Sequence, residues 1–72
     1  MKIETKFNIG DKVLIRGERY TVSAIYIEIT DYGKYEIRIH GRKVYAKDEN
    51  GCYTIGDCAL EKDVVADPLS NN

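Results

Sequence analysis

The side chains best equipped for chemistry are few: one histidine, His40; two cysteines, Cys52 and Cys58; and the neighbouring carboxylates Asp48 and Glu49. A thiol nucleophile would need an imidazole base within hydrogen-bond reach, and His40 is the sole candidate, with no local signature around either cysteine. Asp48-Glu49 precedes Asn50-Gly51 and reads as a solvated turn rather than an acid–base pair. No glycine loop of the phosphate-cradling kind is present. A structural zinc wants four ligands, with two to four residues within each cysteine pair. Here five residues separate the cysteines and a single histidine is on offer. These residues predict a protein that is not an enzyme and has no metal or cofactor. The cysteines are expected to be free, mostly buried thiols, with a reversible disulfide as the alternative.

Charge is distributed unevenly. Between Lys34 and Lys47, five basic side chains (Lys34, Arg38, Arg42, Lys43, Lys47) face a single acid, Glu36. From Asp48 onward six acids stand against Lys62 alone. Arg38, His40, Arg42 and Lys43 thus form a candidate basic patch, with Tyr35 and Tyr45 close by in sequence. Basic residues interleaved with aromatics are how β-surfaces hold single-stranded nucleic acid, through phosphate pairing and base stacking. A patch for an acidic protein partner, or simply the solvated face of an edge hairpin, has the same composition. The sequence pI of about 5.7 argues against nucleic acid, whose readers are generally basic.

Six of the seven aromatic residues are tyrosine. Strand propensity accounts for part of this, but a phenol needs water or a partner for its hydroxyl, and tyrosine is enriched at the energetic centres of interfaces. Tyr26 falls out of phase with Ile25 and Ile27, and Tyr32 sits in a turn, so both are expected at the surface. A protein-contact surface, half-buried packing, and an aromatic cage for a methylated cation all remain open.

Period-two alternation places these residues on five to six strands. Lys12–Arg16 is the first and Tyr20–Thr30 a long second, in which the apolar phase flips at Ala24-Ile25, the mark of a bulge or sharp bend. After an Asp31–Lys34 turn come Tyr35–His40, a break at Gly41-Arg42-Lys43, Val44–Lys47, the Asn50-Gly51 hairpin signal and Cys52–Ile55. Gly56–Leu60 reads as one tight helical turn capped by Asp57, and Glu61–Val65 as a last short strand. The expectation is all-β: a single small barrel over residues 1–66, with a disordered tail at 67–72.

A 72-residue chain buries only about 60% of its extended surface, leaving a thin core and little room for a deep pocket. No apolar run is long enough to span a membrane, and Met1-Lys2 leads into no signal-peptide core, so no membrane contact and a cytoplasmic location are expected.

Gly10-Asp11-Lys12-Val13 at the first strand, the bent second strand and the helical turn before the last strand resemble the SH3-like small barrels, the group that includes KOW and Tudor domains. The chain is also similar to the short, solitary SH3-like proteins of bacteriophages and mobile elements of Gram-positive bacteria. Gly17-Glu18-Arg19-Tyr20 departs from a KOW motif, so no ribosomal or transcriptional role is carried over. The resemblance implies a binding module that docks on a host or phage protein, as an inhibitor for instance. The candidate surface is Tyr26, Tyr32, Arg38, His40, Arg42, Lys43 and Tyr45. The alternatives are nucleic-acid binding by the 34–47 hairpin, or a small homo-oligomer, paired through exposed strand edges, that holds an anionic ligand; a monomer is the other possibility.

Overall fold

The computed structural model describes residues 3–69. Five antiparallel strands form one sheet: β1 Lys12–Ile15, β2 Glu18–Ile29, β3 Tyr35–Asp48, β4 Gly51–Leu60 and β5 Val64–Ala66, in the spatial order β4-β3-β2-β1-β5. Two 3-10 turns, Asp31–Gly33 and Glu61–Asp63, complete the regular elements among the described residues.

The connections explain the shape. β4 and β5 are the two edges of the sheet, yet only Glu61–Asp63 joins them. In a flat five-stranded sheet the edges would lie about 19 Å apart. Four Cα steps reach at most about 14 Å. The sheet must therefore curl, although no ladder joins β4 to β5 among the described residues. The inside of the curl is the core: Phe7, Val13, Ile15, Tyr20, Val22, Ile37, Ile39, Ala59 and Val64, with Ile3 and Ile25 packed at its margin.

Two glycines shape the hairpins. The β1–β2 loop is Arg16-Gly17, with φ of 52° and 80°; two successive positive φ values are the type I′ geometry that matches strand twist. Arg16 thus leaves the first strand and turns the chain. At Gly41 a β-carbon would lie 2.6 Å from Tyr20 Cβ and 3.3 Å from Ile15 Cδ1. Glycine at 41 does not break the strand. It lets Tyr20 pack flat on β3, so Tyr35–His40 and Val44–Lys47 are halves of one 14-residue strand. That strand, roughly 46 Å long at 3.3 Å per residue, sets the 50 Å long axis of the molecule.

The phase flip in β2 is a bulge, one residue earlier than the pattern indicates: Val22 pairs with Gly41 and Ala24 with His40, leaving Ser23 unpaired. Ser23 Oγ donates to the His40 carbonyl at 3.2 Å. Tyr45 occupies a second bulge, between the pairs Val44–Thr54 and Ala46–Tyr53.

The expected helical turn at Gly56–Leu60 is instead the second half of β4, and the 3-10 turn follows it at Glu61–Asp63. Asp57 caps no helix. Its carboxylate accepts from the Cys58 N–H at 2.8 Å and from Arg16 Nη1 at 2.6 Å. The last strand is correspondingly Val64–Ala66. The Asn50-Gly51 signal is displaced too: the loop is Glu49-Asn50, and Gly51 takes φ 136° as the first residue of β4. Of the expected tail, the Asp67 N–H donates to the Lys12 carbonyl at 3.1 Å, and residues 70–72 lie outside the described residues.

Candidate functional site

Facing residues of antiparallel strands share a side of the sheet, so the register assigns each candidate to a face. Tyr26 pairs with Arg38 and Arg38 with Leu60; Ala24 with His40 and His40 with Cys58; Thr21 with Arg42 and Arg42 with Gly56. All lie opposite the core set Ile25, Ile37, Ile39 and Ala59. Four of the seven sequence candidates, Tyr26, Arg38, His40 and Arg42, are therefore gathered on the outer face of β2 and β3.

The other three are not. Lys43 is on the core side, its Nζ 2.6 Å from Glu18 Oε2 and 5.0 Å from the Tyr20 ring centroid. It lids the core, and the contact raises its pKa while lowering that of Glu18. Tyr45, on its bulge, lies tilted against Tyr53, with 6.3 Å between ring centroids. Tyr32 is placed by its backbone in the Asp31–Gly33 turn, and its side chain lies outside the described part of the structure.

The outer face carries an open depression of about 520 Å³. Its floor is made by small residues: Ser23 and Ala24 at the bulge, and Gly41 and Gly56 where β3 and β4 pass side by side. Tyr26 and His40 form one wall, edge to face with centroids 4.6 Å apart. Arg42 forms another, its Nη1 3.4 Å from Thr54 Oγ1. Cys58 and Asp57 complete the lining. Tyr26 is 56% exposed although it packs on His40. Asp57 is held below the ordinary carboxylate range, first by the Cys58 N–H and then by Arg16.

Among the described residues neither Arg38 nor Arg42 forms an ion pair. Their cationic row ends beyond Tyr26, where Glu28 and Glu36 face each other across the same side of the sheet. The face is thus positive in the middle and negative at the hairpin end.

Sequence reasoning missed Ser23, Ala24, Gly56 and Cys58. The flip at Ala24-Ile25 marked the bulge, but Gly56 and Cys58 were hidden by the helical reading of their segment. Both cysteines lie in β4, six positions apart, which separates them by about 20 Å along an extended strand. That is far beyond the Cα spacing of a disulfide. Each is a free thiol; Cys52 is exposed rather than buried, and Cys58 is half-buried. Among the described residues no three metal-binding side chains cluster, and no helix is long and apolar enough to cross a membrane.

Compared with protein-family models, with curated proteins and with solved structures, the chain matches none.

Proposed function

We propose that this protein is a non-catalytic binding module with an SH3-like strand plan, and that it docks an acidic protein segment on the outer face of β2, β3 and β4. The long bulged β2, the curl and the 3-10 turn before β5 support that plan. One observation carries the docking site: Arg38, His40 and Arg42 recur at alternate positions of one strand, beside exposed Tyr26 and over a floor without large side chains. An arginine that forms no ion pair among the described residues is a ready partner for a carboxylate, and it binds one in bidentate geometry. Tyrosine beside it supplies apolar area at small entropic cost.

A nucleic acid would meet the same arginines, but it would also meet Glu28 and Glu36 on the same face, and the chain as a whole carries a formal charge of −1. A nucleic-acid strand carries a phosphate at every nucleotide and is repelled there, whereas a protein segment can confine its carboxylates to the arginines.

The test is affinity capture with the wild-type chain and with Tyr26→Ala/Arg42→Ala. Both side chains are exposed, so the double variant is expected to keep its fold by circular dichroism and lose the captured protein. Retention of the same protein at equal yield would discard this surface.

A further inference from the structure

Each edge of the sheet exposes a row of backbone groups, and the two edges are managed differently. β5 is three residues long and is followed at once by Asp67, bound to β1 and facing Arg19, and by Pro68. β4 runs for ten residues and contains no lysine, arginine or proline.

The direction of the β4 backbone can be read at Cys58. Its N–H donates to Asp57 Oδ1 at 2.8 Å and its carbonyl accepts from Arg16 Nη1 at 3.2 Å, while the His40 carbonyl opposite is directed to Ser23 on β2. Cys58 therefore turns its backbone away from β3. By the two-residue repeat, Gly56, Thr54 and Cys52 do the same. Arg16 and Asp57 guard the edge at Cys58, but among the described residues nothing guards the outward-facing Cys52, Thr54 and Gly56, and residues 51–56 are uncharged and exposed.

We infer that this open stretch pairs with the same stretch of a second copy, antiparallel, about a two-fold axis at Thr54. Three features fit that register. Thr54 meets Thr54, and Cys52 meets Gly56, which has no side chain to obstruct it. Tyr53 meets Ile55 and Ile55 meets Tyr53, so the apolar pair left 44% and 48% exposed in the single chain is buried twice over. The Arg16–Asp57 guard ends the pairing at both limits, giving a closed dimer rather than a fibre. On the outer face, Cys52 of the second copy stands beside Gly56 and walls the depression along its β4 side. The inference does not depend on what the depression binds.

Thr54→Pro tests it, read by sedimentation velocity under reducing conditions over a range of concentrations. By the same repeat the Thr54 N–H points away from β3, so the substitution removes no bond of the β3–β4 ladder and the fold is expected to survive, whereas the dimer loses two hydrogen bonds at its axis. Wild-type mass is expected to rise toward two chains with concentration, and Thr54→Pro is expected to weaken association by about tenfold or more. In a second variant, Thr54→Cys with both native cysteines changed to serine, the paired Cα atoms would sit about 5.5 Å apart, within disulfide reach. Oxidised glutathione should link it into a dimer, two thiols being oxidised as one glutathione disulfide is reduced to two thiols. A wild-type chain that stays monomeric at every concentration would overturn the inference. So would a dimer indifferent to Thr54→Pro, or a Thr54→Cys chain that does not cross-link.

Discussion

Gly41 is the residue on which the packing of β2 against β3 turns. The space a β-carbon would need is occupied by Tyr20 Cβ, part of the backbone-proximal core and unable to swing aside. Gly41→Ala is therefore expected to cost about 1–3 kcal/mol, in the range of overpacked cores. A thermal melt checks this, and an unchanged midpoint would show that the strands yield freely. Two carboxylates make a second, pH-dependent contribution. Asp57 and Glu18 have folded pKa values below their ordinary ones, so each stabilises the fold at pH above the usual carboxylate range. That contribution is lost as pH falls through the depressed values. Asp57→Asn should lower stability at neutral pH and make its acid limb shallower. Both groups are solvated, so the effect is small, and equal acid limbs for the two proteins would assign it elsewhere.

The apolar stripe of β2 is not equally important along its length. Ile25 faces Ile39 at the core, while Ile29 faces Tyr35 near the hairpin end and is 65% exposed. Ile39→Ala is expected to cost about 2–5 kcal/mol and Ile29→Ala far less, by denaturant titration. Equal costs would mean that the projecting hairpin is as much a part of the core as its base. This contrast shows what sequence can and cannot reveal. The alternation of Ile37 and Ile39 with Arg38 and His40, and the flip near Ala24, were legible because a strand's side chains obey a strict two-residue period. The continuity of β3 was not legible, because Gly41 looks like a breaker until Tyr20 is seen lying on it. Nor was Gly56–Leu60 as strand: Asp57 suits a helix cap, and only the curl of the sheet brings Arg16 to its carboxylate. The candidate site followed the same division. Arg38, His40 and Arg42 share a face by parity and the register adds Tyr26, but Lys43 falls on the core side once β3 runs unbroken through Gly41, and Tyr45 is set apart by its bulge.

At the scale of the whole molecule, a thin core supports two hairpins that reach toward opposite ends of a 50 Å axis. Between them lies a shallow, cationic face rather than an enclosed cavity, a geometry suited to docking. The measurement that tests this most directly is an amide NMR titration of the labelled chain with a glutamate-rich peptide and, separately, with single- and double-stranded oligonucleotides, at roughly 50 and 200 mM salt. The expected result is peptide-induced shifts confined to Tyr26, Arg38, His40, Arg42 and Cys58, absent in Tyr26→Ala/Arg42→Ala. Shifts produced only by the oligonucleotides and steeply weakened by salt, or peptide shifts on the core side around Lys43, would contradict it.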